Sequence, residues 1–257
     1  MGRITEAYQS FARVYDLFMD NVPYGEWSRH VGGLLRESGC RDGILLDLAC
    51  GTGVMTELLA EQGYDMIGVD MSEDMLNLAL EKKLRSGRNI LYLAQDMREL
   101  DLYGTVAGAV CLCDSLNYLL EPEDLRTVFE RVNTYLDPGA PFIFDFNTEY
   151  KYRAVLGNRT IAENREDGSF IWENFYQEEE RINEYDLTLF IKEEDGRFSR
   201  YEETHYQRAY TLEEIREALL TAGMEFVTVY DAFSKDAPRP DSERLCVVAR
   251  ERGKSHE

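Results

Sequence analysis

The sequence predicts a doubly wound α/β fold, in which a mostly parallel sheet of seven strands carries a small antiparallel β insertion. Short apolar runs alternate with stretches of helical periodicity between about residues 39 and 150 and again between 211 and 250. That alternation is typical of a parallel sheet with helices on both faces. Between the two stretches the apolar period changes to two, which indicates antiparallel strands.

Seven apolar runs account for the strands of the main sheet. They are residues 44–48, 66–69, 90–93, 106–113, 142–146, 226–230 and 245–249. The intervening helices have recognisable ends. Ser72 is a predicted N-cap, Pro122 suits a first helical turn, and residues 211–214 form a capping-box sequence. Residues 1–38 are predicted to be helical as well, because apolar side chains there recur at helical spacing. The second helix of this segment is expected to run from Trp27 to Arg36.

The insertion is assigned to residues 151–210. Residues 185–191 alternate apolar and polar side chains, and Asp-Gly pairs at 167–168 and 195–196 are hairpin-turn signals. Acidic residues outnumber basic ones by 14 to 5 within residues 161–204. We therefore expect three or four antiparallel strands with one solvated polar face. An exposed edge of this insertion could pair two chains in a homodimer.

Composition narrows the classes of partner. The net charge is −21, whereas nucleic-acid binders and proteins bound to anionic membranes usually present basic surfaces. We expect neither partner. The five cysteines are odd in number and unpatterned, and the N-terminus has no apolar signal core. Both features favour reduced thiols and a cytoplasmic location. Cys111 and Cys113 have no second pair or histidine beside them in sequence, so no metal site is expected.

The most informative segment runs from Asp47 to Gly53. A buried strand ends in an acidic residue, a Gly-x-Gly turn follows, and a helix then begins. Glycines let the backbone approach a ligand closely, and this strand end is where doubly wound sheets bind cofactors. A dinucleotide fingerprint requires a third glycine. Thr56 occupies that position, which counts against a nicotinamide or flavin dinucleotide.

The pattern Asp47-x-Ala49-x-Gly51-x-Gly53 resembles motif I of the class I S-adenosylmethionine-dependent methyltransferases, with Ala49 in place of the first glycine. The resemblance implies a Rossmann-like sheet and S-adenosylmethionine as cofactor. An acidic, apolar-walled pocket suits that cofactor, since it carries cationic ammonium and sulfonium groups and no phosphate.

Three further segments strengthen the resemblance because each follows its own predicted strand. Asp70 ends the second strand, where a carboxylate can accept both ribose hydroxyls, and Met71 would lie against the adenine. The resemblance implies that Asp96 accepts from the adenine amino group while the Met97 N–H meets the ring. Residues 111–118, including Cys113, would then lie where the methyl group meets its acceptor.

The N-terminal segment resembles the lead-in of bacterial small-molecule methyltransferases, Tyr-x-x-Phe-Ala-x-x-Tyr-Asp, which folds over the cofactor as a lid. Here it begins at Tyr8 and places a second tyrosine at Tyr15. We predict that both tyrosines line the site, since a buried phenol needs a hydrogen-bond partner. The alternative is that the aromatic residues of this segment only pack the first helix.

Candidates for a general base are Asp114, Tyr118 and His205. A base is required only when the acceptor is a hydroxyl or a protonated amine. Asp114 and Tyr118 could instead form an ordinary turn, and His205 could be a solvent-exposed strand histidine. Placed after the fifth strand, the insertion is expected to cover the carboxyl edge of the sheet and form an acceptor pocket.

The sequence is compatible with three alternative functions. The first is methylation of an oxygen or nitrogen of a small molecule. The second is methylation of RNA or protein, where the charge counts against RNA more than against a basic protein. The third is a non-catalytic module that binds S-adenosylmethionine.

Overall fold

A computed structural model describes residues 12–254 of the chain. The main sheet has seven strands in the spatial order β10-β11-β5-β4-β1-β2-β3. The strands are β1 Ile44–Leu48, β2 Asp65–Asp70, β3 Ile90–Ala94, β4 Gly108–Cys111, β5 Pro141–Asn147, β10 Met224–Asp231 and β11 Arg244–Glu251. Only β11 runs antiparallel to its neighbours. The predicted doubly wound, mostly parallel sheet is therefore confirmed.

Helices cover both faces of this sheet, and each face has its own apolar core. The helices are α1 Ala12–Phe18, α2 Tyr24–Glu37, α3 Val54–Glu61, α4 Glu73–Ser86, α5 Pro122–Tyr135 and α6 Leu212–Thr221. Shorter elements are the 3₁₀ turns Met97–Glu99 and Ser115–Tyr118 and the π-helix Lys151–Leu156. Ser72 caps α4, and Thr211 forms the predicted capping box with Glu214. No helix within residues 12–254 is long and apolar enough to cross a membrane.

The insertion is a separate four-stranded antiparallel sheet. Its strands are β6 Thr160–Asn164, β7 Gly168–Gln177, β8 Ile182–Lys192 and β9 Phe198–Arg208, paired in that order. Alternate residues of β8 are buried, as the period of two predicts. Val14 and Phe18 of α1 pack on this sheet against Leu187, Leu189 and Ile191. The first helix therefore belongs structurally to the insertion sheet as well as to the cofactor edge.

Two predicted boundaries were wrong. β4 ends at Cys111 instead of continuing through Cys113, because Cys113 and Asp114 adopt left-handed backbone angles, with φ of 62° and 54°. A left-handed residue cannot continue an extended strand. The second helix begins at Tyr24, three residues earlier than its predicted start. The predicted homodimer through an insertion edge stays a prediction.

Candidate active site

A cleft opens at the carboxyl ends of β1, β2, β3 and β4, where the four predicted segments come together. Its lining includes Asp47, Ala49, Gly51, Asp70, Met71, Asp96, Met97, Cys113, Tyr15 and Tyr118. The carboxyl ends of parallel strands meet at one edge, which explains why side chains far apart in sequence share this cleft. Of the other predicted site residues, Gly53 supports the loop, and Tyr8 lies outside the described residues.

Asp47 lies beneath the glycine loop and is almost completely buried. The Thr56 hydroxyl donates a hydrogen bond of 2.5 Å to its carboxylate. Burial, with the nearby charge of Asp70, raises the pKa of Asp47 to about 7, although the bond from Thr56 opposes the shift. Thr56 therefore has a positive role here, since a glycine at this position would remove the donor that Asp47 uses.

Asp70 holds the loop from the neighbouring strand. Its two carboxylate oxygens accept from the backbone N–H of Gly51 at 2.8 Å and of Ser72 at 2.9 Å. Burial raises its pKa, and these backbone donors oppose the rise. A carboxylate has about four acceptor positions. Even with a third backbone donor at Met71, the carboxylate thus retains acceptor capacity, which the predicted contact with the ribose requires.

The loop can form only with small residues. Gly53 has φ of 76°, and a Cβ added to it would lie 2.5 Å from the Tyr92 hydroxyl. Gly51 has φ of 54°, but an added Cβ there would meet no atom within 4 Å. Gly53 is therefore required for packing beneath the loop, whereas the open space beside Gly51 faces the ligand side. Ala49, the departure from the motif, is also left-handed, with φ of 58°.

The charges of the cleft fit a cationic ligand better than a pyrophosphate. Three carboxylates line it, whereas Arg98 is the single cation among its described lining residues. Arg98 is ion-paired with Asp96 at 2.5 Å and with Asp124 at 3.1 Å. Burial disfavours the charged form of Asp96. The hydrogen bonds from Arg98 outweigh this effect and hold the pKa of Asp96 below its usual value. The three carboxylates of the cleft therefore suit S-adenosylmethionine, whose ammonium and sulfonium groups are cationic.

The helix α1 is attached to the glycine loop. Asp16 accepts a hydrogen bond of 2.7 Å from the Thr52 hydroxyl and an ion pair of 2.5 Å from Lys82. Lys82 also donates to the Thr52 carbonyl at 2.9 Å. The preceding residue, Tyr15, lines the cleft and is hydrogen-bonded to Tyr24. Tyr15 therefore lies at the cleft, whereas its contact with a cofactor and the role of α1 as a lid stay predictions.

The loop after β4 is shaped by a buried carboxylate that the sequence did not point to. Asp145 of β5 is fully buried and accepts from the backbone N–H of Cys113 at 2.7 Å and of Asp114 at 3.0 Å. Arg244 of β11 makes an ion pair with Asp145 and a second one, of 2.6 Å, with Asp114. Two consecutive left-handed residues are thereby held in place.

Asp114, a predicted general base, is committed to this network. Its second oxygen accepts from the Gln207 amide at 2.8 Å. Each carboxylate oxygen of Asp114 thus has a partner other than the cleft. The side chain connects the loop to the insertion, and its predicted catalytic role is not tested by this geometry.

His205 and Tyr118 are brought together, although 87 positions separate them. His205 Nδ1 lies 3.2 Å from Tyr118 Oη, and Tyr118 Oη lies 2.6 Å from Tyr185 Oη. The interpretation of His205 as a solvent-exposed strand histidine was wrong, because only 1% of the residue is exposed. The period of two explains this, since Glu203, His205 and Gln207 occupy the inner face of β9.

Sequence reasoning missed Glu203, Tyr185, Asp145, Arg244 and Gln207. The missed signal is one of spacing. An inward glutamate, histidine and glutamine at positions two apart on one strand predict a buried polar row on the inner face. Which loop that row meets depends on tertiary contacts that one sequence does not reveal.

The fold and the cleft together define a class I S-adenosylmethionine-dependent methyltransferase. Comparison with known proteins agrees. A family model described as a methyltransferase domain matches residues 45–139. The YqeM protein of Bacillus subtilis (strain 168), which carries a provisional methyltransferase name, is 38% identical over 239 residues, covering 93% of this chain and 94% of that protein. The chain therefore belongs to the S-adenosylmethionine-dependent methyltransferase family.

Two further proteins are similar. The crystal structure of an S-adenosylmethionine-dependent methyltransferase from Clostridium acetobutylicum ATCC 824 is 30% identical with a TM-score of 0.87, covering 96% of this chain and 99% of the other. The dTDP-3-amino-3,4,6-trideoxy-alpha-D-glucopyranose N,N-dimethyltransferase of Streptomyces venezuelae is 29% identical over 140 residues, covering 52% of this chain and 56% of that protein. This chain is thus an S-adenosylmethionine-dependent methyltransferase.

Proposed function

We propose that the enzyme methylates a nitrogen or oxygen atom of a small molecule, which binds between the cofactor cleft and the inner face of the insertion sheet. The position of Tyr118 is the main support. Its ring lines the cleft, while its hydroxyl is hydrogen-bonded to Tyr185 and His205 of the insertion. A molecule that contacts Tyr118 from the cleft would therefore lie beside the methyl group.

Enclosure favours an acceptor of limited size. The insertion contacts the loops after β4 and β5, where the Asn117 amide donates to the Arg208 carbonyl at 2.7 Å and to the Asn147 carbonyl at 3.1 Å. From the other side, α1 is attached to the glycine loop through Asp16. Bound between these elements, a small acceptor would be shielded from water and aligned with the methyl group, the main requirement for this displacement.

Nitrogen is favoured over oxygen by the groups around the cleft. Three tyrosines, Tyr15, Tyr24 and Tyr118, face it together with the carboxylates of the cofactor side. Aromatic faces and negative charge stabilise a cation, and an amine reaches the enzyme as an ammonium ion. The Streptomyces venezuelae relative is named as an aminosugar N,N-dimethyltransferase, which is consistent with an amine.

In this proposal the cofactor supplies the reactive group, and the residues of the protein bind and orient the two reactants. S-adenosylmethionine supplies the electrophilic methyl group. Asp47 and Asp70 hold the cofactor side, the Cys113–Asp114 loop sets the floor of the acceptor side, and Tyr118 contacts the acceptor. We assign Tyr118 as a catalytic residue and Asp114 as a positioning residue, because Arg244 and Gln207 occupy its oxygens. A reducing cytoplasmic location is also proposed, and the five free cysteines support it.

Calorimetric titration with S-adenosylmethionine and S-adenosylhomocysteine tests the cofactor, and a turnover screen with methyl-labelled cofactor tests the acceptor. The screen uses separate pools of metabolite-sized amines, metabolite-sized alcohols and basic peptides. We expect turnover with the amine pool. Turnover with basic peptides alone would contradict the small-molecule proposal and support a protein acceptor.

Tyr118→Phe tests the placement of the acceptor. We expect kcat to fall about 100-fold, while the Kd for S-adenosylmethionine stays within about twofold, because the phenol faces the insertion and not the cofactor loop. Tyr103→Phe is the matched control, since Tyr103 is fully exposed on the surface. Equal activity of the two variants would place the acceptor elsewhere.

A further inference from the structure

A chain of four buried or half-buried side chains leads from the insertion sheet into the cleft. We name Glu203, His205, Tyr118 and Tyr185 the relay. Glu203 Oε2 lies 3.3 Å from His205 Nε2, His205 Nδ1 lies 3.2 Å from Tyr118 Oη, and Tyr185 Oη lies 2.6 Å from Tyr118 Oη. The imidazole also stacks on the Tyr185 ring, with centroids 4.9 Å apart and planes 7° apart. These contacts allow the imidazole little rotation.

Hydrogen-bond chemistry gives the relay a direction. An ionised carboxylate only accepts, so the imidazole Nε2–H donates to Glu203 in this arrangement. The neutral imidazole then presents Nδ1 as an acceptor. Tyr118 donates to Nδ1, and Tyr185 donates to the Tyr118 oxygen. Tyr118, which also lines the cleft, is therefore the relay residue nearest to the acceptor side.

We propose that the relay takes a proton from an amine acceptor, with Glu203 and Tyr185 as positioning residues for His205 and Tyr118. This inference rests on the proposed small-molecule methylation. It extends that function by giving the proton of the ammonium ion a destination.

The step balances as follows. An ammonium N–H proton passes to Tyr118 Oη while the phenolic proton of Tyr118 passes to His205 Nδ1. The freed nitrogen lone pair forms the C–N bond to the methyl carbon as the C–S bond breaks, and the bonding pair stays on sulfur. Glu203 balances the charge of the resulting imidazolium. The proton returns to water when the products leave.

The groups packed against the relay within residues 12–254 come from four elements. Tyr118 comes from the 3₁₀ turn after β4, Tyr185 from β8, and Glu203 from β9 itself. Trp172 of β7 packs edge-on against Tyr185 at 5.3 Å, and Asp114 acts on Tyr185 only through space. Gln207 separates Asp114 from the strand as a neutral amide. Among the described residues, Glu203 is the carboxylate that contacts the imidazole directly, at 3.3 Å.

A purely structural cross-link is the competing explanation, and burial argues against it. The side chains of Glu203 and His205 are 4% and 0% exposed. Burying a carboxylate beside an imidazole costs more than an apolar pair of similar volume would cost. The relay also ends at the side chain that lines the cofactor cleft, which a cross-link within the insertion would not require.

The first test is NMR on protein labelled with ¹⁵N-histidine, in complex with S-adenosylhomocysteine. The chain has three histidines, so the spectrum of His205→Asn assigns the signal of His205. We expect the neutral tautomer with the proton on Nε2. A proton on Nδ1 would overturn the proposal, because Tyr118 could not then pass its proton to that atom. This measurement needs neither turnover nor a substituted Glu203.

The second test uses turnover of the amine pool with methyl-labelled S-adenosylmethionine. We expect kcat to fall about 100-fold in His205→Asn, about 10-fold in Glu203→Gln and about threefold in Tyr185→Phe, each with the cofactor Kd unchanged. Glu203→Gln should also weaken the preference of His205 for the Nε2 tautomer in the NMR spectrum, because an amide oxygen binds the imidazole N–H less strongly than a carboxylate does. A merely structural residue would not change the tautomer.

The matched control is Glu202→Gln, one residue away on the solvent face of β9 with its side chain 64% exposed. Adding Glu203→Gln to His205→Asn should cost nothing further if both act through one path. If Glu203→Gln behaves like Glu202→Gln, the relay is wrong while methylation stands. Failure of cofactor binding in the wild type would instead remove the proposed function.

Discussion

The two halves of the active site are built in different ways. On the cofactor side, Asp47, Gly51 and Asp70 lie in or directly after adjacent parallel strands, and their bonds are mostly to backbone groups. On the acceptor side, a buried ion-pair network joins Asp114, Asp145 and Arg244, and side chains bond to side chains across 87 to 130 positions of sequence. One half depends on local geometry and the other on the completed fold.

Because of this difference, substitutions in the two halves of the active site should have different effects. A strand-end carboxylate on a backbone loop can lose its ligand contact without dismantling the sheet. In the acceptor half the same residues shape the loop and fill the interior, so a substitution affects stability and activity together. We therefore expect substitution of a ligand-facing carboxylate on the cofactor side to change chiefly the affinity for S-adenosylmethionine. Substitutions within the ion-pair network of the acceptor side should change the free energy of unfolding as well as activity.

The largest effect is expected from Arg244→Met. It would leave the fully buried Asp145 and its neighbour Asp114 without their cation. Removal of one partner of a buried pair costs about 3 to 5 kcal/mol, so we expect a decrease of that size in the free energy of unfolding, measured by urea denaturation. Arg239→Met is the control, because Arg239 is 65% exposed. Similar losses in both variants would contradict the network's structural role.

Next in size is the effect of Asp70→Ala on the cofactor side. The substitution removes acceptors for two backbone donors and for the proposed ribose hydroxyls. We expect the Kd for S-adenosylmethionine to rise about 100-fold, since charge-assisted hydrogen bonds contribute about 1.5 to 3 kcal/mol each. Calorimetry measures it, with Asp65→Ala as the control at the exposed start of the same strand. Unchanged affinity in Asp70→Ala would place the ribose elsewhere.

A comparable effect is expected in the pH dependence of stability through Asp47. Burial raises its pKa from 3.8 to about 7 in the folded protein, so the folded state binds more protons than the unfolded state between those values. The stabilisation from this group is therefore complete below about pH 4 and is lost as the pH rises to about 7. Integrated over that window, the loss is roughly 3 to 4 kcal/mol.

Asp47→Asn should remove this loss, because an amide mimics the protonated carboxyl and can still accept from Thr56. We expect the variant, compared with the wild type, to gain unfolding free energy as the pH rises from 4.5 to about 7, and the difference to level off above that pH, in urea titrations without cofactor. Asp65→Asn serves as the exposed control. A constant difference between Asp47→Asn and the wild type across this range would show that Asp47 does not bind a proton on folding.

The same contrast explains which parts of the active site could be predicted from the sequence. Asp47, Gly51 and Asp70 were predictable because strand periodicity places them at one edge, and each is recognised within a few residues of its own strand. Tyr118 and His205 could be named as candidates, but their contact could not, since it depends on how the insertion folds back. Asp145 lies inside the apolar run of the fifth strand, and its sequence neighbours do not indicate a role in the site. Its partner Arg244 is 99 positions away, so no local pattern predicts the pair.

The smallest effect concerns Ala49, where the chain departs from the glycine of the motif. Its φ of 58° lies in the left-handed region, which costs a residue with a Cβ about 1 to 2 kcal/mol. Glycine relieves that cost but loses about 0.5 to 1 kcal/mol of backbone entropy. We expect Ala49→Gly to raise the unfolding free energy by about 0.5 kcal/mol, whereas Ala60→Gly inside α3 should lower it by about 1 kcal/mol. If both variants lost stability equally, strain at Ala49 would be absent, and the cofactor half would owe its loop to packing, as the acceptor half does.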